Sequence, residues 1–151
     1  MQKMFRSQKS SAWLILFGVL SVMAGCKQNE PEPPLADQII GDYTVTSYKS
    51  GTITVNLPAT TTTGITATAK ITSTKVSEDV ASFTFIFTQT KSGITSSSNS
   101  KLENVSLKKG SSGAIEGSVG IDGISWQNNQ LTLTFGDANP ADVLTIYAKK
   151  D

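Results

Sequence analysis

The sequence is notable first for what it lacks. It has no histidine, a single cysteine and a single arginine, Cys26 and Arg6. Without histidine, Ser-His-Asp and Cys-His catalytic pairs and histidine-ligated zinc are excluded. Charged residues are only 17% of the chain and aromatic residues 7%, whereas an ordinary soluble protein carries about 25% charged residues. Threonine and serine are abundant instead, above all from Thr44 to Ser106, and this composition favours strands and turns.

The few basic residues are unevenly placed. Lys3, Arg6 and Lys9 stand at the start of the chain. The remainder of the chain has 10 basic and 12 acidic residues, a net charge of −2. No clustered basic face of the kind that binds nucleic acid remains. Because Arg6 is the only arginine, this remainder has no guanidinium for bidentate recognition of phosphate or carboxylate.

Residues 1–25 have the order of a secretory signal peptide. The basic start is followed by an apolar run that begins at Ala12 and continues to Met23. This run is too short to cross a bilayer core, which needs about 20 apolar residues. The small residues Ala24 and Gly25 then precede Cys26.

The segment Met23-Ala24-Gly25-Cys26 resembles the lipobox of bacterial lipoproteins, with methionine where leucine is more usual. The resemblance implies cleavage before Cys26 and lipidation of that cysteine by diacylglycerol and commonly by an N-acyl chain such as palmitate. A lone thiol in an oxidising compartment is otherwise disfavoured. The resemblance further implies a place in the bacterial cell envelope, anchored by lipid to a membrane that we expect to be the outer one, on its periplasmic or surface side.

Residues 26–38 are predicted to form a tether. Pro31, Pro33 and Pro34 alternate with acidic residues, and no large apolar residue precedes Leu35, so this stretch cannot pack a core. Lys27 followed by Glu30 and Glu32 also resembles the surface-export signal of some Gram-negative lipoproteins, while a plain solvated linker explains the same residues.

Residues 39–151 alternate between apolar and polar positions, which predicts an all-β domain of about eight or nine antiparallel strands. A short helical turn is expected between Leu35 and Ile40. The residues predicted to share one face of a strand include Tyr43, Val45 and Ser47; Ile65, Ala67, Ala69 and Ile71; Phe83, Phe85 and Phe87; Leu131, Leu133 and Phe135; and Leu144, Ile146 and Ala148.

Turn residues separate these runs. Ser92-Gly93, Asp122-Gly123 and Asn128-Asn129 are each typical of a tight turn between neighbouring strands. Short connections between even strands predict a meander, and we expect it to close as a barrel rather than to stack as a β-sandwich. Because one face of the strands is mostly Thr, Ser, Lys and Asn, we expect a barrel held beside the membrane rather than within it.

The segment Gly41-Asp42-Tyr43 resembles the Gly-x-Trp or Gly-x-Tyr start of small lipocalin-like barrels. The resemblance covers residues 39–151 in pattern only. It implies a barrel that can hold a small apolar ligand, although the arginine that packs over the tryptophan in true lipocalins has no counterpart here.

No group of residues predicts catalysis, and we expect neither an enzyme nor a cofactor. The acidic residues, Glu78-Asp79 and Asp122 among them, look like solvated turn residues. Asp137, Asn139 and Asp142 could supply oxygen ligands to Ca²⁺, but a hairpin loop explains the same residues and is favoured, so no metal site is predicted.

Two functions from different classes follow. The first is a non-enzymatic, membrane-anchored binding module whose cavity is lined by Phe83, Phe85, Phe87, Leu133 and Ile146, although such a row more often fills a core. The second is a structural or interaction subunit of an envelope complex, which contacts another envelope protein through strand edges and has no small-molecule ligand. Neither involves nucleic acid.

Overall fold

The computed structural model describes residues 31–136, 139 and 143–151. The predicted signal peptide, Cys26 and the first part of the predicted tether lie outside these residues, as do Asp137 and Asp142 of the calcium candidate. Pro33–Asp151 form one compact unit. Its elements are one helix and ten strands: α1 Leu35–Ile39, β1 Gly41–Ser50, β2 Ile53–Asn56, β3 Ala59–Thr60, β4 Ile65–Ser77, β5 Val80–Lys91, β6 Ile94–Lys109, β7 Ile115–Val119, β8 Asp122–Gln127, β9 Gln130–Phe135 and β10 Leu144–Lys150.

The domain is a closed antiparallel barrel of eight strands with two further strands, as the alternation predicts. Strands β4 to β10 follow one another as a meander, and β1 closes the barrel between β10 and β4. The choice between barrel and sandwich is therefore settled in favour of the barrel. The interior is one continuous apolar cluster that includes Tyr43, Phe83 and Leu133.

The closing seam is short. β1 pairs with β4 only over Gly41–Thr44, opposite residues 70–73. Beyond that point the two strands separate, β2 pairs with the second half of β1, and β3 pairs with β4. Leu57, between β2 and β3, is 9% exposed and donates its N–H to the carbonyl of Thr46 at 2.8 Å. The barrel is thus tightly closed at one end and splayed at the other.

The tight end is covered by α1, and we call it the closed end. A helix of five residues is too short to persist alone, and it is held here by Ala36 and Ile39, which are both 0% exposed. The N–H of Ala36 donates to the carbonyl of Glu78 at 3.0 Å. The helical turn expected between Leu35 and Ile40 is confirmed. The opposite end, where Ser50, Lys91 and Leu144 lie, is called the open end.

The sequence-based register was wrong in two places. A bulge in β1 lies between Val45 and Ser47, so that Tyr48, and not Ser47, packs against the core beyond it. One extra residue reverses which side chains face inward. Asp122-Gly123 are the first residues of β8 rather than a turn. The turn comes earlier, at Gly120, which has a φ of +60°.

Candidate functional site

The inner face of β5 connects the core to the open end. Its residues alternate without interruption from Phe83 through Phe85, Phe87 and Gln89 to Lys91, because the pairing with β4 stays in register over this stretch. Phe83 is 1% exposed, Phe85 and Phe87 are half-buried, and Lys91 is exposed. The row of phenylalanines therefore begins as core and becomes a surface that solvent reaches.

A small apolar pocket lies where this change occurs. It has a volume of about 160 Å³ and is lined by Tyr48, Phe85, Phe87, Leu144 and Ile146. Three of the five residues predicted to line a cavity are therefore brought together there, namely Phe85, Phe87 and Ile146. The other two, Phe83 and Leu133, are each 1% exposed and belong to the core.

Sequence reasoning missed Tyr48 and Leu144. Leu144 begins β10 opposite Ser50 of β1, at the open end. Tyr48 reaches the inner face only because of the β1 bulge, which simple alternation does not reveal. The signal for Leu144 was present, since it starts the alternating set that continues with Ile146 and Ala148.

A second, larger pocket lies on the same face, beyond Phe87 on β5. It has a volume of about 460 Å³ and is lined by Ile65, Gln89, Lys91, Ser92, Ile94 and Ser96. In the register, Lys91 lies opposite Ile65 of β4 and Ile94 of β6, and Gln89 lies opposite Ser96. These residues thus belong to the inner-face rows of their strands. Sequence reasoning missed this pocket because it depends on the register in which β4, β5 and β6 pair.

The open end also carries exposed apolar side chains. Ile53, at the start of β2, is 68% exposed, and Ile94 is 77% exposed. Apolar groups left in water cost about 25 cal/mol for each Å² that could have been buried. These isoleucines, together with the two pockets, make the open end the candidate functional site. We call the inner-face surface from Phe85 to Ile94 the open-end groove.

The closed end is built differently, around a buried tyrosine. Tyr43 is 0% exposed, and its hydroxyl donates to the carbonyl of Ile39. Burial raises the pKa of Tyr43 to about 12, and the nearby indole N–H of Trp126 partly offsets that rise. This N–H lies beside the hydroxyl without reaching hydrogen-bond geometry, and within the described residues it has no acceptor. The Tyr43 hydroxyl thus links β1 to the last residue of α1.

The buried phenol predicts a loss of stability in alkali. Between about pH 10 and about pH 12 the unfolded chain loses the tyrosine proton and the folded chain keeps it. The free energy of unfolding should therefore fall as the pH rises, by about 2–3 kcal/mol in all. Urea unfolding of Tyr43→Phe should lack this part of the fall, while Tyr147→Phe, on a residue that is 40% exposed, should retain it. Equal slopes in both variants would refute the assignment.

The acids considered from the sequence form no metal-binding group in the described part of the chain. Asp122 accepts the backbone N–H of Gly136 at 3.0 Å and so holds the start of the β9–β10 connection. Across residues 31–136, 139 and 143–151, no three Cys, Asp or Glu side chains come together in a way that could hold a metal ion. Over the same residues, no helix has the length and apolar character needed to cross a bilayer.

Comparison with known proteins places the chain in a family. The family model described as Toastrack DUF4097 matches residues 16–145, which covers most of the 151 residues. No curated protein and no solved structure matches the chain. The chain therefore belongs to the Toastrack DUF4097 family.

Proposed function

We propose that the protein is a lipid-anchored, non-enzymatic module of the bacterial cell envelope, and that it binds a small apolar ligand at the open end of its barrel. The observation that carries the proposal is the apolar pocket lined by Tyr48, Phe85, Phe87, Leu144 and Ile146. Aromatic and aliphatic side chains in a concavity are the usual lining of a small-molecule site.

The larger neighbouring pocket adds the space that a ligand needs. A pocket of about 160 Å³ is below the roughly 300–1,000 Å³ typical of ligand sites. The neighbouring pocket of about 460 Å³ follows it along β5, from Phe87 to Gln89. The volume of this second pocket lies within that range, so a ligand that extended from the inner pocket into it would have enough space.

The anchor is proposed from the residues before the barrel. A basic start, a short apolar run and Ala24-Gly25-Cys26 are what export and lipidation need. The chain enters the barrel through Pro33 and α1, at the closed end. We propose that attachment through Cys26 holds this domain in an outer-membrane setting.

Ligand binding is tested by titration with N-phenyl-1-naphthylamine, an uncharged apolar dye that fluoresces when it leaves water. The wild-type protein should bind the dye, and Phe87→Ala should weaken binding about tenfold, since deleting a large apolar contact costs about 1.4 kcal/mol or more. Ile86→Ala is the matched control, because Ile86 directly precedes Phe87 on β5, faces outward and is 37% exposed. Equal affinity of both variants, or no binding by the wild type, would reject the proposal.

A second candidate function, an interaction subunit of an envelope complex, is favoured by one edge of β6. This strand runs from Ile94 to Lys109, but β7 pairs with it only over Ser106–Lys109. Within the described residues, no strand pairs with that edge between Ile94 and Glu103. An open edge presents free N–H and C=O groups that can accept a strand from a partner.

Proline substitution tests this edge. Ser92 and Gly93 form a two-residue turn with positive φ, so Lys91 and Ile94 form the first hydrogen-bonded pair, and the N–H of Asn99 points away from β5. If the edge accepts a partner strand, Asn99→Pro should abolish crosslinking to another envelope protein in cells, whereas Asn99→Ala should preserve it. A wild-type protein that captures no envelope protein would argue against this second function.

A further inference from the structure

We propose that the ligand of the open-end groove is a single-chain amphiphile with an anionic head group. Its apolar chain would lie along the inner face of β5, and its head group would contact the Nζ atom of Lys91. The inference rests on the proposed ligand-binding function and names the class of ligand for it.

The residues that define the groove follow one another along a single strand, which favours an extended ligand over a compact ring system. Phe85, Phe87, Gln89 and Lys91 follow one another on one face of β5. At about 3.4 Å per residue, Phe85 and Lys91 are separated by roughly 20 Å, which matches an extended fatty acyl chain. A row of this length favours a ligand that is itself extended, such as an unbranched hydrocarbon.

The groove changes character along its length. Its inner part contains Phe85, Phe87 and Ile146 with no charged side chain among its lining residues. Its outer part is lined by the apolar residues Ile65 and Ile94 and also by the polar residues Gln89, Ser92 and Ser96. An apolar chain would cover Ile94, which is 77% exposed without it. An anionic head group would meet an opposite charge only at the outer end, where Lys91 is the charged lining residue.

Lys91 supplies the charge. It is the one charged residue among the described residues that line the two pockets. The ion pair found in the described part of the chain joins Lys75 and Asp37, at 2.7 Å, near the closed end. A lysine ammonium next to apolar side chains and without a carboxylate among its pocket neighbours favours a carboxylate or phosphate head group.

The charge on Lys91 also argues against other ligand classes. A cationic head group would be repelled by the ammonium at the outer end, and a wholly apolar ligand would make no use of its charge. A nucleic acid requires several phosphate contacts, which a single lysine cannot supply.

The test compares three compounds with the same hydrocarbon chain: palmitate, 1-hexadecanol and hexadecylamine. Each displaces N-phenyl-1-naphthylamine from the protein, at concentrations below those at which the compound forms micelles. The wild type should bind palmitate about threefold more tightly than 1-hexadecanol, since Lys91 is exposed and water screens its attraction for the carboxylate, and should bind hexadecylamine most weakly. Lys91→Gln should remove the preference for palmitate and leave 1-hexadecanol unchanged.

Lys101→Gln is the matched control. Lys101 lies on β6 opposite Thr84, in the outward-facing row, so the substitution removes the same charge from the same sheet on its other face. This variant should keep the preference for palmitate. Equal binding of palmitate and 1-hexadecanol by the wild type, or a preference that survives Lys91→Gln, would overturn the inference and leave the proposed function standing. Failure of all three compounds to displace the dye, or a dye that never binds, would overturn both.

Discussion

Replacing Phe83 with alanine is expected to lower the free energy of unfolding by about 3–5 kcal/mol, the usual cost of removing a buried phenylalanine. Phe83 is 1% exposed and belongs to the continuous core. Its neighbours on β4 and β6 are Ser73 and Leu102, and neither can expand into the space that the ring leaves. Chemical denaturation of the purified protein measures the change.

Phe87→Ala is the control for this prediction, because it removes the same ring from the same face of the same strand. Phe87 is half-buried and lines the open-end groove, so its loss should cost clearly less stability, about 1–2 kcal/mol. Phe83→Ala should thus affect mainly folding, and Phe87→Ala mainly ligand binding. A loss of stability as large for Phe87 as for Phe83 would show that the proposed site is simply core.

Replacing Cys26 with serine is expected to abolish lipid attachment completely, if the protein is a lipoprotein as proposed. Cys26 is the sole cysteine, so no other thiol can take the diacylglycerol. Two or more acyl chains hold a protein stably on a membrane, at about 0.8 kcal/mol for each buried CH₂ group. Cells given an alkyne-bearing palmitate should therefore label the wild-type protein and leave Cys26→Ser unlabelled.

The control for the anchor is Ser21→Ala, which changes the apolar run and keeps Cys26; it should be labelled like the wild type. Intact mass of the wild-type protein completes the test, since the mature chain should begin at Cys26 and carry the added acyl mass. A wild-type protein that begins at Met1 and takes up no label would contradict the lipoprotein proposal.

The fold could be predicted from the sequence to the extent that it depends on local alternation and turn chemistry. The run from Phe83 to Phe87, with threonine or isoleucine between, identified β5 and its inner face. Asn128 and Asn129 have φ values of +52° and +63°, as expected of a two-residue turn. These features depend on a few neighbouring residues, so the sequence displays them directly.

The features that were missed depend on the register in which strands pair. The bulge that places Tyr48 in the groove arises where β1 pairs with β10, about a hundred residues later in the chain. Asp122-Gly123 has turn chemistry, but Gly120 took the turn because the pairing of Val119 with Asp122 leaves Gly120 and Ile121 as the connection. Local sequence does not encode which of two neighbouring glycines the tertiary structure uses.

The candidate site lies between these two cases. Phe85, Phe87 and Ile146 could be identified because they continue alternating rows. Extending the same row by two more positions would have reached Gln89 and Lys91, and with them the charge at the outer end. Ile94 could be joined to Lys91 across the predicted Ser92-Gly93 turn, whereas Ile65 could be joined to them only with the register of β4 against β5.

The central claim, that an apolar ligand occupies the inner face at the open end, is tested most directly by photocrosslinking. A long-chain alcohol with a diazirine in its hydrocarbon chain is bound to the protein and irradiated, and the labelled residues are identified by mass spectrometry. The account predicts labels on Tyr48, Phe85, Phe87 and Leu144, which line the inner pocket. Labels confined to outward-facing, exposed residues such as Ile86 and Tyr147, or no label at all, would contradict it.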